Sequence, residues 1–236
     1  MSALTNQTTE CEPCPGGLCP ISCCTESESK PVFKYWGGIK ARNMHVGFTL
    51  AGMGKLDSVE FKTDYPWPGT DEWKALAQDD LSAWKQLPCL EDDGFVLSES
   101  MAIVRYLARR FGWCTCDLTK FGQSEQQIQW ADSLHSALAK AQYADDRTVA
   151  MDEMFAEGGK VGKMLAGLEH VLSGDVHSTP GDYSACATLN MLEDLEPGCT
   201  DGFPKIKELY STVMELEQVK KFLDTVPGQY FKRKSD

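Results

Sequence analysis

The stretch from Lys85 to Arg109 reads KQLPCLEDDGFVLSESMAIVRYLAR and carries several structural signals in close succession. Residues 86–91 predict an apolar strand entered through a proline, and Asp93-Gly94 is typical of a tight hairpin turn. Residues 95–97 predict the returning strand. Ser98-Glu99-Ser100 then begins a helix, whose apolar residues recur at helical spacing: Ile103, Val104, Leu107, Ala108 and Phe111.

The residues before this stretch supply the rest of an α/β unit. Residues 32–36, Val-Phe-Lys-Tyr-Trp, are rich in aromatic and β-branched types and predict a first strand. An imperfect helical pattern covers residues 42–53, a short second strand covers residues 58–62, and Asp71 can cap a further helix. Over residues 31–112 this order predicts a mixed sheet with helices packed on it.

The residues after it predict helices alone. Residues 113–123 are expected to be a linker, and residues 124–236 are expected to form an all-α domain. The sequence Thr-Pro-Gly-Asp at residues 179–182 is a capping box with proline at the first helical position. The predicted helices cover residues 124–146, 149–173, 182–196 and 204–223, the last with a break.

Composition excludes several function classes. The chain of 236 residues has a formal net charge of −12, and an acidic surface repels phosphate backbones, so nucleic acid is not an expected partner. No apolar run approaches the ~20 residues that a membrane helix needs, so no membrane partner is expected. The start of the chain lacks the basic and apolar regions of a secretory signal, which favours a cytoplasmic location.

Residues 1–30 are polar and predict a flexible, cysteine-rich tail. Five of the chain's ten cysteines lie here, at positions 11, 14, 19, 23 and 24. The spacing Cys11-x2-Cys14 would allow a metal or redox site, but no histidine lies nearby. A tail with incidental thiols is the favoured interpretation, and no metal is expected.

Residues 85–109 resemble the glutathione-binding half of cytosolic glutathione transferases. The resemblance rests on Pro88 before a strand, the Asp93-Gly94 turn, the pair Glu99-Ser100 and the helical pattern Ala102-Ile103-x-x-Tyr106-Leu107, all in register. Such a match implies an α/β thioredoxin-like N-terminal domain followed by an all-α C-terminal domain, the glutathione transferase fold.

Outside this stretch the resemblance covers residues 31–230 more weakly. Tyr35-Trp36 is similar to the Tyr-Trp of mu-class members, and a mu-like or sigma-like class is the expectation. The family's activity is conjugation of glutathione, its co-substrate, to small hydrophobic electrophiles in detoxification. The resemblance also implies a homodimer, in which Trp84 stands where mu-like members place an aromatic key, although Trp84 could equally belong to the core.

Tyr35 is the predicted catalytic residue. Free thiols have a pKa of ~8.5, and only the thiolate is a good nucleophile. A hydroxyl that donates a hydrogen bond to sulfur favours the thiolate. The resemblance places Tyr35, at the end of the first strand, in that role, whereas the residue pattern alone would also suit a core aromatic.

The same resemblance assigns the glutathione-binding residues. It implies a cis Pro88 whose neighbour Leu87 pairs its backbone with the cysteinyl unit, where a trans proline at an edge strand is the alternative. Ser100 would bind the γ-glutamyl carboxylate at a helix N-terminus and Glu99 its ammonium, although a plain helix cap is the simpler role for this pair.

Further contacts are predicted with less support from the residues themselves. Asp132 is expected to reach the γ-glutamyl ammonium in the partner subunit, with a solvated helix acid as the alternative. Trp36, Trp73 and Gln86 are additional candidates. Ala77 stands where mu-like members have a lysine, so Lys74 or Lys85 would bind the glycyl carboxylate instead.

The same residues bear on other possible functions. Cysteine- or serine-based chemistry would need Cys or Ser at the first turn, residues 37–43, and neither is there. A glutathione-dependent isomerase similar to prostaglandin D synthase would use the same thiolate. A transferase-like structural or ligand-carrying protein is the non-enzymatic alternative.

Overall fold

The computed structural model describes residues 29–76, 84–172 and 178–232. In its four-stranded sheet the second strand lies at one edge and is followed by the first, the third and the fourth. The first and second strands are parallel, and the other neighbouring pairs are antiparallel. Nearly all of the predicted tail, and Ala77, lie outside the described residues. The strands are β1 Val32–Trp36, β2 Glu60–Tyr65, β3 Cys89–Asp92 and β4 Phe95–Ser98.

Helices make up the rest of the regular structure. Three belong to the sheet region: α1 Arg42–Gly52, α2 Asp71–Leu76 and α3 Ser100–Arg110. The helical region contains α4 Leu118–Gln142, α5 Arg147–Phe155, α6 Lys160–Val171, α7 Pro180–Leu195, α8 Pro204–Met214 and α9 Glu217–Thr225. The predicted fold class, an α/β domain followed by helices, is therefore confirmed. Within the described ranges, none of these helices is long and apolar enough to cross a membrane.

The hairpin forms where the sequence predicts it. Asp93 and Gly94 have φ angles of 53° and 80°, the left-handed conformation that a tight hairpin turn requires. The buried Asp92 carboxylate accepts a hydrogen bond from the Tyr106 hydroxyl at 2.7 Å and pairs with Arg110 at 2.8 Å. These contacts fix the turn against α3, whose predicted apolar face is buried at Ile103, Val104, Leu107 and Ala108.

Two predicted boundaries differ from the structure. The helix α4 begins at Leu118, inside the predicted linker 113–123, because the Asp117 carboxylate caps it by accepting from the Thr119 and Lys120 N–H groups at 2.8 and 3.1 Å. The single helix predicted over residues 149–173 is divided into α5 and α6. Gly158, with a φ of 69°, provides the break between them.

The second strand also begins later in the chain than the sequence predicts. It covers Glu60–Tyr65 rather than residues 58–62, because a short 3₁₀ turn occupies Leu56–Ser58. In the sheet, Val32 is paired with Glu60 and Trp36 with Tyr65. This register brings the ends of β1 and β2 together at the edge where α1 begins.

The helical region packs on the sheet region through α1 and α7. The capping box at the start of α7 is confirmed, since the Thr179 hydroxyl accepts from the Asp182 N–H and the Asp182 carboxylate accepts from the Thr179 N–H. Gly181 lets this helix end approach α4, because a Cβ built there would lie 2.4 Å from the Ser124 carbonyl oxygen. The Gly181 N–H donates to the Ser124 hydroxyl at 3.0 Å.

Gly181→Ala is expected to lower the free energy of unfolding by about 1–3 kcal/mol, because the added methyl meets the backbone of α4 rather than a movable side chain. Gly162→Ala in α6 is the matched control, since nothing lies within 4 Å of its added Cβ. That change should raise the free energy by about 0.5–1 kcal/mol through helix propensity. Urea unfolding of both variants checks the pair, and equal effects would contradict this close packing.

Candidate active site

The first strand ends in a buried tyrosine that contacts the start of α1. Tyr35 is 4% exposed, and its hydroxyl oxygen accepts a hydrogen bond from the Arg42 backbone N–H at 3.1 Å. Burial raises the pKa of Tyr35 to about 12, so the phenol keeps its proton at neutral pH. Because the oxygen is the acceptor in the Arg42 contact, the hydroxyl proton is available to donate to another group.

Arg42 connects three elements at this point. Its guanidinium Nη1 lies 3.0 Å from the Ser100 hydroxyl at the start of α3 and 2.6 Å from the Asp132 carboxylate on α4. Its Nη2 donates to the Ser136 hydroxyl, one turn further along α4, at 2.8 Å. The structure thus brings three predicted residues, Tyr35, Ser100 and Asp132, around one arginine that was not among the predicted site residues.

A signal for Arg42 exists in the sequence. It is the first residue of α1, and a cation at a helix N-terminus opposes the helix dipole. Such a placement needs a compensating anion, and Asp132 supplies it across the α1–α4 contact. Recognising this signal requires knowing where α1 starts and that residue 132 lies beside it, and neither follows from local sequence.

The remaining polar site residues lie at the start of β3 and α3. The Leu87–Pro88 peptide is cis, as the resemblance implies. The Gln86 side-chain amide donates to the Glu99 carboxylate at 3.0 Å. Glu99 has a φ of 71°, and Ser100 follows it as the first residue of α3. Glu99 is exposed and Ser100 is buried. At the start of α3 the carboxylate therefore faces solvent, and the hydroxyl lies in the interior.

Three tryptophans form an aromatic group at the end of β1. The Trp36 ring stacks on Trp67 at a centroid distance of 6.1 Å and meets Trp73 at 4.4 Å. Trp73 is half-buried on α2, next to the exposed Lys74. Lys74 pairs with Asp71 at 2.9 Å, which offsets part of its charge.

Trp84 has a large exposed ring. Its exposed fraction is 65% in the single chain. It therefore does not belong to the core of this chain, which was one of the two alternatives. Its placement at a dimer interface stays a prediction.

Beneath Arg42 lies a buried pair of histidines, one turn further along both helices. His45 Nε2 of α1 is 3.2 Å from His135 Nδ1 of α4, and His45 Nδ1 is 3.2 Å from the Ser184 carbonyl oxygen of α7. Since a carbonyl only accepts, His45 Nδ1 carries its proton, and His135 Nδ1 then donates to His45 Nε2. Neither histidine has a role predicted from the sequence.

Burial keeps this pair neutral. It lowers the pKa of His45 to about 4, with a smaller lowering from the Arg42 charge. Burial also lowers the pKa of His135 well below its ordinary value, helped by the neighbouring His45. Neutral imidazoles can bridge α1, α4 and α7 without an unpaired buried charge.

A cavity of about 320 Å³ opens beside the turn between β1 and α1. Gly38 and Ile39 of this turn, Gln142 and Tyr143 at the end of α4, and residues 229–232 near the chain's end contribute to its lining. Two other cavities lie along α4 and α6 and share no residue with the predicted glutathione site. Within the described part of the chain, no three His, Cys, Asp or Glu side chains form a group suited to a metal ion.

This chain is similar in sequence to glutathione S-transferases. Residues 31–109 match the family described as Glutathione S-transferase, N-terminal domain. Glutathione S-transferase alpha-5 of Rattus norvegicus is 26% identical over 209 residues, which cover 84% of this chain and 90% of that protein.

Two solved structures share the fold. The Onchocerca volvulus Pi-class glutathione S-transferase has a TM-score of 0.70 and 20% identity, covering 83% of this chain and 93% of its own. Prostaglandin synthase D of Nilaparvata lugens has a TM-score of 0.68 and 17% identity, covering 84% of this chain and 100% of its own.

Proposed function

We propose that this chain, which belongs to the cytosolic glutathione S-transferase family and is a glutathione transferase, activates the thiol of glutathione through the Tyr35 hydroxyl. The observation that carries the proposal is the arrangement of Tyr35, Ser100 and Asp132 around Arg42. The second substrate would be a small hydrophobic electrophile.

The proposed role of Tyr35 is that of a hydrogen-bond donor and not a base. With a pKa of about 12 the phenol holds its proton, so it can donate to the glutathione sulfur but cannot accept the thiol proton. The thiol proton leaves to water, and the thiolate stays next to the positive N-terminus of α1. The thiolate then attacks the electrophile, and the leaving group departs with its electron pair.

The other assigned residues would hold the tripeptide. Ser100 and the free N–H groups at the start of α3 suit the γ-glutamyl carboxylate, and Glu99 suits its ammonium. Gln86 and the Leu87 backbone beside the cis Pro88 would bind the middle of glutathione. For the glycyl carboxylate we propose Trp36, Trp73 and either Lys74 or Lys85 as contacts.

Three further assignments extend the proposal beyond one glutathione site. Asp132 would contact the γ-glutamyl ammonium in a partner subunit, and in its own chain it pairs with Arg42. Trp84 would lie at the interface of a homodimer. Detoxification in the cytoplasm is the proposed physiological setting.

The proposal is tested by measuring the affinity of the variants Ser100→Ala and Ser136→Ala for glutathione. Both hydroxyls accept from Arg42, but only Ser100 is proposed to touch glutathione. Calorimetry should show affinity about tenfold weaker for Ser100→Ala, since a hydrogen bond to a charged group contributes about 1.5–3 kcal/mol, and little change for Ser136→Ala.

Equal losses in both variants would mean that Ser100 acts only by holding Arg42. Glutathione binding by the wild type without conjugation of any aryl halide would contradict the transferase reaction itself. That result would favour the isomerase or the ligand carrier.

A further inference from the structure

The connection between α3 and α4, residues 111–117, contains a disulfide-bonded cysteine. Cys116 is exposed and lies directly before Asp117, the residue that caps α4. The other cysteines of the described ranges keep their thiols: Cys89, Cys114, Cys186 and Cys199. Within one chain, this leaves the cysteines at positions 11, 14, 19, 23 and 24 as possible partners of Cys116.

The first residues that the structure describes lie close to this connection. The Arg110 guanidinium, at the end of α3, donates to the Ser29 carbonyl oxygen at 3.1 Å. Cys116 follows Arg110 by six residues, and Cys24 precedes Ser29 by five. An extended chain spans up to about 3.3–3.6 Å per residue, so even the cysteine nearest to Ser29 can reach roughly 17 Å from that contact. Residues 1–28 and Cys116 therefore start from the same end of α3.

Hydrogen bonds on both sides hold the backbone around Cys116. The Trp113 N–H donates to the Ala108 carbonyl oxygen at 2.8 Å, which folds the connection back on the end of α3. On the other side the Asp117 N–H donates to the Thr115 hydroxyl at 3.1 Å. Cys116 thus lies exposed in a held segment, and exposed disulfides are more easily reduced than buried structural ones.

The second cysteine of the connection has a different environment. Cys114 is half-buried, and the Arg109 guanidinium donates to its sulfur at 3.5 Å. Cys114 therefore contacts the end of α3, whereas Cys116 is exposed and already bonded to another sulfur. Because only one residue separates them, Cys114 is a matched control for any experiment on Cys116.

We propose that Cys116 is a redox-sensitive modification site: its disulfide fastens residues 1–28 to the α3–α4 connection, and glutathione opens that bond. The family to which the chain belongs uses glutathione as its substrate, so the reductant is a molecule that this protein meets. The exchange needs only glutathione in solution and an exposed disulfide. It does not depend on Tyr35 or on the second substrate.

Opening of the bond takes two thiol–disulfide exchange steps. In the first, a glutathione thiolate attacks the Cys116 sulfur and forms an S–S bond with it, while the bond to the partner cysteine breaks and that cysteine leaves as a thiolate. In the second, another glutathione thiolate attacks the glutathione sulfur of this mixed disulfide, and Cys116 leaves as a thiolate. Both cysteine thiolates take up the protons that the two glutathione thiols released. The protein disulfide gains two electrons, and two glutathione molecules are oxidised to one glutathione disulfide.

Tryptic mapping without reductant tests the bond. Trypsin leaves residues 1–34 as one peptide, because the bond after Lys30 precedes a proline, and it releases residues 111–120 as another. After incubation with glutathione disulfide, the wild type and Cys114→Ser should yield these two peptides linked, and Cys116→Ser should yield them separate. A wild type without the linked peptide, or a linked peptide that persists in Cys116→Ser, would overturn the inference. So would a non-reducing gel in which the linked protein runs as two chains, since the bond would then join two molecules.

A glutathione titration tests whether the bond is redox-sensitive. In mixtures of glutathione and glutathione disulfide, the linked peptide should disappear in one transition as the reduced share rises, from either starting state. Oxidation should raise the urea midpoint of the wild type by about 1 M, because the bond closes a long loop in the unfolded chain, and should not change that of Cys116→Ser. A bond that no mixture opens in the folded protein, or equal midpoints for oxidised and reduced wild type, would overturn the inference.

Conjugation activity separates this inference from the transferase proposal. Reduced Cys116→Ser should conjugate an aryl halide at the rate of the reduced wild type, because Cys116 is not among the residues proposed to hold glutathione. A wild type that conjugates the halide but yields no linked peptide overturns the inference alone. A wild type that yields the linked peptide but conjugates nothing overturns the proposed function alone.

Discussion

Tyr35→Phe is expected to lower kcat for the conjugation of an aryl halide about 10- to 100-fold, because a hydrogen bond to a charged acceptor contributes about 1.5–3 kcal/mol. The loss should lie in thiol activation. Free thiols have a pKa of ~8.5, so the bound thiol should titrate near that value in the variant and below it in the wild type. The pH dependence of kcat/KM and the ultraviolet absorbance of the bound thiolate both report this change.

The control for this variant is Tyr65→Phe. Tyr65 lies on the neighbouring strand β2, where its backbone is paired with Trp36, and its side chain is assigned no role in glutathione binding. Tyr35→Phe also leaves the Arg42 N–H without its acceptor, so its unfolding must be measured alongside. If Tyr35→Phe kept full turnover, or lost turnover with no change in the titration of bound glutathione, the activation role of Tyr35 would be wrong.

The parts of the fold that the sequence predicts well are those that local chemistry decides. The hairpin at Asp93-Gly94 depends on two residues that adopt positive φ, and the start of α7 depends on Thr179 and Asp182 capping each other. These signals occupy two to four consecutive residues. Neither needs information from elsewhere in the chain.

The misplaced boundaries have a different origin. The apolar pattern continues through residues 149–173, so periodicity alone predicts one helix, whereas the backbone at Gly158 turns to a φ of 69°. Likewise the early start of α4 depends on one carboxylate, Asp117, in a stretch with no apolar pattern. In both places a single residue sets the helix boundary, although the sequence pattern around it predicts a different one.

The candidate site shows the same division. Tyr35, Pro88, Glu99 and Ser100 could be proposed from a family pattern that lies along the chain. Arg42 could not, because its contacts with Ser100 and Asp132 join residues that are 58 and 90 positions apart. The same is true of His45 and His135, which are 90 positions apart and form one buried contact.

The buried histidine pair predicts that acid lowers the free energy of unfolding. An unfolded histidine has a pKa of about 6.5, whereas His45 in the folded chain has a pKa of about 4, and that of His135 is also well lowered. Between these values the unfolded chain binds protons that the folded chain does not, so the free energy of unfolding should fall as the pH is lowered. His45 alone should account for about 3 kcal/mol between pH 7 and pH 4.

Urea unfolding measured from pH 7 down to about pH 4.5 tests this prediction, with His135→Asn as the variant. Without the second imidazole, one fewer proton is taken up on unfolding, so stability should depend less steeply on pH than in the wild type. His170→Asn is the matched control, because His170 is exposed on α6 and makes none of these contacts.

The groups around the pair set the direction of the effect. Arg42, one turn away on α1, opposes a second positive charge, while Asp132 favours one only weakly for His45. The two neutral rings share one proton across their contact of 3.2 Å. Protonation of either imidazole would either turn two N–H groups towards each other or add a positive charge at this contact. Because the same helices carry Arg42 and Asp132, acid should separate α1 from α4 and weaken glutathione binding before the chain unfolds. A wild type whose stability and glutathione affinity stay constant from pH 7 to about pH 4.5 would show that the two imidazoles are not held neutral by burial.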